Sequence, residues 1–291
     1  MSAKLRSDLI LILAAVIWGF AFVAQRIGMD YVGPFTFNGA RFTLGALVVI
    51  PFLFSHKKFI PKDPSLSISR GKMIWGVIGT GLLLFSGASL QQVGLQFTTA
   101  GKAGFITGLY VVFVPFIGLF LGHRTTIFTW LGVLFSAAGL YFLSITSGFR
   151  IDRGDLLVLA CAFVFTFHVL LIGWLSPRMS SFHLAAGQFA ICAFLSIGMA
   201  LICEPIVAGD IVRAALPILY GGIMSVGIAF TLQVIAQKEA HPASVSIILS
   251  MEAVVAAFGG WMILHESLTL RMLAGCLLIL TGIVIVQLKR L

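Results

Sequence analysis

Apolar residues occur along this chain in long blocks that short polar segments separate. Each block is about 20 residues long, the length that an α-helix needs to cross the hydrocarbon core of a bilayer. The pattern predicts an all-α integral membrane protein with ten transmembrane helices, at 8–28, 34–55, 72–94, 99–121, 126–146, 155–176, 182–203, 213–236, 242–264 and 268–288. Because most connections are short, we expect one compact helical bundle.

The composition changes this picture little. Of the 291 residues, 59% are hydrophobic and 10% are charged, and the mean hydropathy is +1.09. Soluble domains carry about 25% charged residues, so a soluble fold is excluded and the lipid bilayer is the expected surrounding. We attribute the net charge of +9 to membrane topology and anionic headgroups, and expect no nucleic-acid partner.

The distribution of basic residues predicts the orientation. If both termini are cytoplasmic, twelve Lys and Arg residues lie on the cytoplasmic side and six on the opposite side, as the positive-inside rule requires. The twelve are Lys4, Arg6, Lys57, Lys58, Lys62, Arg70, Lys72, Arg124, Arg178, Lys238, Lys289 and Arg290, and the six are Arg26, Lys102, Arg150, Arg153, Arg213 and Arg271. We expect a multi-pass protein of the cell (inner or plasma) membrane.

The sequence contains no motif for a cofactor or a metal ion. The cysteines lie within or beside apolar blocks and lack CxxC spacing, so they predict neither a disulfide framework nor a zinc site. A phosphate-binding loop is also missing from the sequence, which argues against ATP-driven transport by this chain alone. We expect no cofactor and no obligate protein partner, and a homodimer is compatible with the pattern.

The two halves of the chain match each other in order, at offsets of 147, 141 and 143 residues. The strongest match is a repeated QVxxQ pattern, because glutamine is uncommon in membrane spans. The matched pairs are Asp8-Leu9 with Asp155-Leu156, Phe20 with Phe167, Phe35 with Phe182, Arg41-Phe42 with Gln188-Phe189, Gly81 with Gly222, Gln92-Val93 and Gln96 with Gln233-Val234 and Gln237, and Gly132 and Gly139 with Gly275 and Gly282. We interpret them as an internal duplication.

The duplication predicts two repeats of five helices, residues 1–147 and 148–291. Since five is an odd number, the second repeat must cross the membrane in the opposite sense. Inverted repeats of this kind are typical of secondary transporters, whose substrate site lies near the membrane midplane where the halves meet. They provide two near-equivalent arrangements of the same parts, as alternating access requires.

The ninth predicted helix carries one carboxylate, Glu252, close to its middle. An ionisable group at this depth costs at least ~2.5 kcal/mol, so it usually faces a protein interior or a water-filled path. We therefore interpret Glu252 as a group that handles a proton or the substrate. The alternative is a protonated, hydrogen-bonded glutamate of the core.

Aromatic residues mark further candidate positions for a cavity. Trp18 in the first helix could stack on a substrate or pack against a neighbouring helix, and Phe20 and Phe22 lie beside it. Tyr110 in the fourth helix falls within about one residue of the position that matches Glu252 in the repeat. We therefore expect Tyr110 and Glu252 to face one cavity.

The paired glutamines allow two interpretations. Gln92 and Gln96 share one helix face, as do Gln233 and Gln237. Their amides could line a cavity and bind a polar solute, with Gln92 and Gln233 as the candidates, or they could make interhelical hydrogen bonds.

Four more residues of the spans are candidates for structural or gating roles. Arg41 lies deeper than snorkelling explains, so it should pair with a carbonyl or carboxylate, and anchoring is favoured over substrate contact. Gln188 takes the matching position in the second repeat and is treated as a second anchor. His168 is either a core residue or a proton-coupling group, since imidazole titrates near physiological pH. Pro115 predicts a kink suited to gating.

In these motifs the chain resembles the EamA-type transporters of the drug/metabolite transporter superfamily. The resemblance covers essentially the whole chain. It rests on Trp18-Gly19, Arg41-Phe42, the run TAGKAGFITGLY from Thr99 to Tyr110, Leu249-Ser250-Met251-Glu252, and the run LHESLT from Leu264 to Thr269.

The resemblance implies a ten-helix carrier that moves small metabolites, often outward. Family substrates include amino acids, sugars, nucleotide-related compounds and drugs. Members usually have Glu-Pro where this chain has Glu252-Ala253, which puts a helix break there in doubt. Many also have a glutamate near the position of His123-Arg124, whereas here only the second half keeps this acid, as Glu266. We interpret Glu266 as a structural anchor that pairs with Arg271 or a helix end.

The favoured function is secondary active transport that exports a small metabolite or drug-like solute by alternating access, with proton coupling as one version. The alternatives are an uncoupled facilitator or exchanger and a lipid-handling membrane protein. An intramembrane enzyme is disfavoured, because ionisable residues are too sparse within the spans to form a catalytic cluster.

Overall fold

A computed structural model describes residues 3–55, 67–144 and 152–288, and every regular element in them is helical. The elements are α1 (Ala3–Gly28), α2 (Pro34–Ser55), α3 (Arg70–Gly94), α4 (Ala100–Gly108), α5 (Tyr110–Phe120), α6 (Ile127–Ser144), α7 (Arg153–Leu175), α8 (Ser181–Cys203), α9 (Ala208–Arg213), α10 (Ala215–Leu219), a π-helical stretch (Tyr220–Phe230), α11 (Thr231–Ala236), α12 (Pro242–Leu249), α13 (Met251–Leu264) and α14 (Leu270–Leu288). Six basic residues of the orientation argument lie outside the described residues: Lys57, Lys58, Lys62, Arg150, Lys289 and Arg290.

In the described residues, eight helical runs are long and apolar enough to cross a membrane. Three of these runs combine shorter elements: α4 with α5, α10 with the π-helical stretch and α11, and α12 with α13. The helices α6 and α14 lie at the places of the fifth and tenth predicted helices, and their described apolar parts are shorter. The prediction of an all-helical, multi-span protein is confirmed, and the count of ten crossings stays a prediction.

The apolar core lies between the two halves of the chain. Its main cluster includes fully buried side chains from both, among them Leu11, Phe42 and Leu84 from the first half and Phe189 and Ile247 from the second. The halves are therefore held together by the same apolar packing that forms each of them.

Helices that the repeat relates pack against each other in antiparallel fashion. Phe52, late in α2, stacks on Phe182, early in α8, with ring centroids 5.4 Å apart. Gly39, early in α2, lies against Ile197, late in α8. This antiparallel pairing is the arrangement that two oppositely oriented repeats require.

The matched glycines explain the close packing of α6 and α14. Gly132 lies beside Gly282, and Gly139 beside Gly275. A Cβ atom added at Gly139 would lie 2.5 Å from the carbonyl oxygen of Gly275, a distance that no side chain tolerates. Small residues of this kind let helix backbones approach closely in membranes.

Both repeats contain an interrupted helix at equivalent positions. The first break lies at Leu109, between α4 and α5, and the second at Ser250, between α12 and α13; the difference, 250 − 109, is the repeat offset of 141. At the second break the Ser250 hydroxyl donates to the carbonyl of Ile247 (2.7 Å), a local bond that competes with regular helix. The helix is therefore interrupted two residues before Glu252, although this chain has Ala253 where family members usually have proline.

Pro115 does not lie at the break of the first repeat. It lies inside α5, six residues after Leu109. The interruption is therefore not at the residue that the sequence singled out: at Leu109 the backbone N–H bonds to the carbonyl of Ile106, three residues back, as in a turn. A role of Pro115 in gating stays a prediction.

Glu266 fastens the start of α4 to the second half of the chain. Its carboxylate accepts hydrogen bonds from the backbone N–H groups of Ala100 (2.9 Å) and Gly101 (3.1 Å). Of the two partners predicted for Glu266, the helix end is correct, whereas the guanidinium of Arg271 lies over the Tyr141 ring at 5.6 Å. A carboxylate at this place also compensates the positive end of the helix dipole.

Glu204 fastens the start of α2 in the same way as Glu266 fastens α4, a role that was not predicted from the sequence. Its carboxylate accepts hydrogen bonds from the backbone N–H groups of Phe35 (2.7 Å) and Thr36 (2.8 Å). At the start of α12 a histidine, and not a carboxylate, packs near the helix end. His123 packs its ring against that of His241, the N-cap residue, with centroids 5.2 Å apart.

The first helix meets α13 at Gly19. A Cβ atom added there would overlap the side chain of Val255 and lie 2.9 Å from the carbonyl oxygen of Glu252. A glycine is therefore required where α1 touches the backbone beside the buried carboxylate.

We predict that Gly19→Ala destabilises the protein by about 1–3 kcal/mol, because the added methyl group must push α1 away from α13. Thermal unfolding in detergent measures the effect. Gly198→Ala is the matched control: nothing lies within 4 Å of its added Cβ, so its midpoint should stay the same or rise. An unchanged midpoint for the Gly19 variant would show that α1 and α13 are not in close contact.

Candidate functional site

A small central cavity lies where elements of both halves meet. It has about 50 Å³ of free volume, enough for a few water molecules, whereas small-molecule sites typically have about 300–1,000 Å³. The cavity is therefore smaller than a typical small-molecule site. The cavity is lined by Trp18, Phe22, Gln25, Arg41, Ala88, Gln91, Thr107, Tyr110, Phe165, His168, Val169, Ser225, Phe230, Gln233, Leu249 and Glu252.

Glu252 and Tyr110 reach the cavity from the two helix breaks. Tyr110 is the first residue of α5, and Glu252 lies in the first turn of α13. The Tyr110 hydroxyl donates a hydrogen bond to Oε1 of Glu252 at 2.9 Å, and both side chains are buried. The expectation that these two residues face one cavity is confirmed.

Arg41 projects from α2 into the same cavity. Its Nε donates to Oδ1 of Asn38 at 2.9 Å. The predicted carbonyl acceptor is thus the amide oxygen of an asparagine side chain. The guanidinium also lies over the rings of Phe37 and Phe42, at 5.6 and 5.0 Å from their centroids. The sequence favoured an anchoring role, and the structure adds that Arg41 lines the cavity.

His168 and Gln188 form a buried pair. Nε2 of His168 lies 2.8 Å from Oε1 of Gln188, and the imidazole packs edge-on against the rings of Phe165 and Phe230. Gln188, the repeat counterpart of Arg41, thus holds the histidine at the cavity wall. His168 is available to the cavity, and a role in proton coupling stays a prediction.

The glutamines divide between the two interpretations. Gln233 lines the cavity, but Gln92 does not: its amide donates to the backbone carbonyl of Gln25 in α1 at 3.3 Å. The neighbouring Gln91 lines the cavity in its place, because adjacent helical residues point about 100° apart. The placement of Gln92 as a lining residue is therefore wrong.

The second glutamine of each pair is also not at the cavity. Gln96 lies beyond the end of α3 and is exposed. Gln237 is buried and donates to the carbonyl of Val169 at 2.9 Å. For Gln92 and Gln237 the interhelical hydrogen bond was the correct interpretation.

Trp18 packs against a neighbouring element and also lines the cavity, and stacking on a substrate stays a prediction. It lines the cavity, its Nε1 donates to the carbonyl of Ser225 at 3.2 Å, and its ring packs on Phe230 with centroids 4.6 Å apart. Of the two aromatic residues beside it, Phe22 lines the cavity. Phe20 instead borders a separate apolar groove between α1, α13 and α14.

The π-helical stretch was not predicted from the sequence. It supplies Ser225 and Phe230 to the cavity, and π-helical turns occur often at functional sites. Its glycines offered the only local signal. Gly222 lies against the backbone carbonyl of Arg41, 3.1 Å from an added Cβ, so this stretch sets the position of α2 and of the guanidinium.

The arrangement limits the possible chemistry. In the described part of the chain, no three His, Cys, Asp or Glu side chains lie together in a way that could hold a metal ion. The cavity combines one guanidinium, one carboxyl group, an imidazole, several amides and an aromatic wall. These groups can bind a polar solute with an apolar part, and the carboxyl group can exchange a proton.

Comparison with known proteins identifies relatives along the whole chain. The model of the EamA-like transporter family matches residues 5–145 and again residues 152–288. A protein of Archaeoglobus fulgidus named "Uncharacterized transporter" is 34% identical, with 98% of this chain and 87% of that protein covered. "Uncharacterized transporter YoaV" of Bacillus subtilis is 25% identical, with 94% of each covered.

A solved structure described as "Crystal structure of protein" has the same fold. Its TM-score is 0.77 over 98% of both chains, at 22% sequence identity. This likeness shows the fold alone.

We predict that Gln92→Leu destabilises the protein by about 1 kcal/mol, because it removes a hydrogen bond between α3 and α1. Thermal unfolding in detergent measures it, and Gln96→Leu is the matched control, since Gln96 is exposed four residues further on, beyond the end of α3. Equal unfolding midpoints for the two variants would contradict the assigned role of Gln92.

Proposed function

Because the chain belongs to the EamA-like transporter family, we propose that it is a secondary transporter that exports a small solute by alternating access to the central cavity. The observation that carries the proposal is the position of Glu252: a buried carboxyl group in the cavity, at a helix break, bound to Tyr110 from the equivalent break. Ionisable groups inside membrane spans mark substrate paths and proton relays.

The interrupted helices are the proposed moving parts. The runs α4–α5 and α12–α13 each change direction beside the cavity, at Leu109 and Ser250. A break lets the two parts of a helix tilt separately, so one end of the cavity can open while the other stays closed. The equivalent positions of the breaks support two arrangements of similar energy, facing opposite sides of the membrane.

Glu252 is the proposed site of proton coupling. A carboxyl group that faces the cavity from either side can take up a proton on one side and release it on the other. Tyr110 supports this cycle, because its hydroxyl stabilises the charged carboxylate by a hydrogen bond. His168 is the second candidate, since it lines the cavity and its contact with Gln188 fixes its position there.

We further propose two inverted repeats, ten crossings and cytoplasmic termini in the cell membrane. Antiparallel packing of repeat-related helices supports the inversion, and the excess of Lys and Arg on one side supports the orientation. A homodimer stays a prediction. Many large apolar side chains are exposed on the outside of the bundle, such as Phe54 and Phe194, and we assign this surface to lipid contact.

One observation favours a lipid-handling function as the second candidate. The groove between α1, α13 and α14 is lined by apolar side chains and Cys276, among them Val16, Phe20 and Phe258. An acyl chain fits such a lining. The polar groups that a headgroup needs lie instead in the central cavity, so we favour a polar solute as the substrate.

We predict that Glu252→Gln abolishes proton-driven efflux. Proteoliposomes loaded with amino acids, sugars, nucleosides and cationic drugs are assayed by mass spectrometry, with and without a pH gradient. The variant's gradient-driven efflux should fall to the level of protein-free liposomes, because an amide cannot carry a proton across. Exchange at saturating solute should persist, since the side-chain volume is unchanged.

Asp30→Asn is the control, because this carboxylate is exposed and pairs with Arg26 at the surface; its flux should equal that of the wild type. Tyr110→Phe should keep gradient-driven efflux at a rate reduced roughly fivefold, the equivalent of one lost hydrogen bond. If wild-type efflux is the same with and without the pH gradient and is unchanged in Glu252→Gln, the protein is a facilitator in which Glu252 has a structural role. No efflux of any solute would overturn the proposal of transport.

A further inference from the structure

A second cavity lies at one end of the bundle and shares no described lining residue with the central cavity. It has about 360 Å³ of free volume, which is enough for a small molecule. Its walls come from α1, α6, α12 and α14, and its lining includes Lys4 and His241, at the starts of two membrane spans. Since lipid headgroups lie at the ends of membrane spans, this cavity is at their level.

The repeat shows what occupies the corresponding place at the opposite end of the bundle. Lys102, the third residue of α4, places its Nζ 2.5 Å from Oδ2 of Asp155, the third residue of α7. Asp155 is 5% exposed and also accepts hydrogen bonds from the Thr98 hydroxyl and the backbone N–H of Asp152, both at 3.0 Å. A buried carboxylate at this place thus binds an ammonium group of its own chain.

At the second cavity this lysine is replaced by a serine. Asp8 matches Asp155 at the repeat offset of 147. Counted from the start of each helix, Ser244 is the third residue of α12, as Lys102 is of α4. Asp8 and Ser244 both line the cavity and are buried, with 4% and 8% of their surfaces exposed. The cavity therefore lies where the opposite end of the bundle holds an ammonium group.

The hydroxyl of Ser244 is available to a ligand. Among the described residues it has no hydrogen-bond partner, whereas Ser246, two residues on, donates to the carbonyl of Ala243 at 2.9 Å. A buried polar group without a partner costs free energy, and this hydroxyl lies in the cavity wall. A bound donor or acceptor would recover that free energy.

The rim of the second cavity carries charges of both signs. Lys4 and Arg124 are exposed there, together with one acid, Glu239, and with His241. The basic groups outnumber the acid at the rim, whereas Asp8 is the buried charged group of the lining. This distribution suits a ligand with a cation at its inner end and an anion at its outer end.

We propose that the second cavity binds a primary ammonium compound that carries a phosphate, as in the headgroup of an ethanolamine phospholipid. Its ammonium takes the place that Lys102 holds at the opposite end, and donates to the Asp8 carboxylate and to Oγ of Ser244, since an ammonium has three donors. Its phosphate binds Lys4 and Arg124 at the rim.

A phospholipid and a free aminoalcohol phosphate share this chemistry, and the outer wall favours the lipid. Phe128 in α6 and Val286 in α14 line the cavity, and Phe128 is 39% exposed. Leu131 and Val284 are exposed on the same two helices, so acyl chains can pack beside the cavity. The bound lipid is a ligand of the fold and not the transported solute, so its binding does not depend on transport.

Lipid binding to purified, delipidated protein in detergent tests the proposal, with dissociation constants from native mass spectrometry. Three lipids with the same acyl chains are compared. Phosphatidylethanolamine has a primary ammonium, phosphatidylcholine has a methylated ammonium without N–H donors, and phosphatidylglycerol has no ammonium. We expect phosphatidylethanolamine to bind roughly tenfold more tightly than the other two, because only its ammonium can donate to Asp8 and Ser244.

Free phosphoethanolamine distinguishes the two sources of the ligand. If it raises the unfolding midpoint and displaces phosphatidylethanolamine, the cavity accepts a soluble compound. If only the lipid binds, the ligand comes from the membrane. Either result supports the site.

Ser244→Lys supplies the ammonium from the chain itself. The new side chain should pair with Asp8 as Lys102 pairs with Asp155, so the unfolding midpoint without lipid should rise and the preference for phosphatidylethanolamine should disappear. Ser267→Lys is the matched control, because Ser267 is exposed and does not line the cavity. It should keep the roughly tenfold preference of the wild type.

Asp8→Asn should also abolish the preference, because a neutral amide loses the charge-assisted hydrogen bond. Asp30→Asn is its control at an exposed ion pair. The proposal is overturned if the wild type binds phosphatidylethanolamine no better than the other two lipids, or if Ser244→Lys and Asp8→Asn keep the full preference. If one of these variants does not fold the other decides, and if neither folds the ranking of the three lipids on the wild type decides.

Discussion

The bilayer imposes the condition on which this structure depends: a charged or polar group within the hydrocarbon must be satisfied inside the protein. Arg41 and Glu252 meet this condition by facing a cavity between the two halves, where Asn38 and Tyr110 hold them. The helices around them bury both ionisable side chains.

The bundle is built from a duplication that departs from symmetry in its side chains. Repeat-related helices pack on each other and both repeats break one helix at an equivalent position, so the bundle is built from two similar parts. The polar side chains are not duplicated. The second repeat has Gln188 where the first has Arg41, and Tyr110 lies within about one residue of the position in the first repeat that is equivalent to Glu252. The framework is therefore similar in the two halves, whereas the side chains that line the central cavity are not.

Much of the candidate site could be predicted, because ionisable, amide and large aromatic residues are noticeable within membrane spans and the repeat relates some of their positions. Trp18, Tyr110, His168, Gln233 and Glu252 were found in this way, and all five line the cavity. Ordinary residues such as Thr107, Ser225 and Phe230 carry no such signal. Gln91 was missed for another reason: its neighbour Gln92 matched the repeat, and the repeat does not report which way a side chain points.

By itself the sequence determined the membrane class, the two repeats and the residues that can carry charge, because these follow from apolar block lengths, ordered matches and residue type. Only the tertiary structure decided the rotation of each helix, the breaks at Leu109 and Ser250, and the capping of α4 by Glu266 and of α2 by Glu204. The physical reason is that these features depend on contacts between residues far apart in the chain, such as Gly19 with Val255, which no local pattern contains.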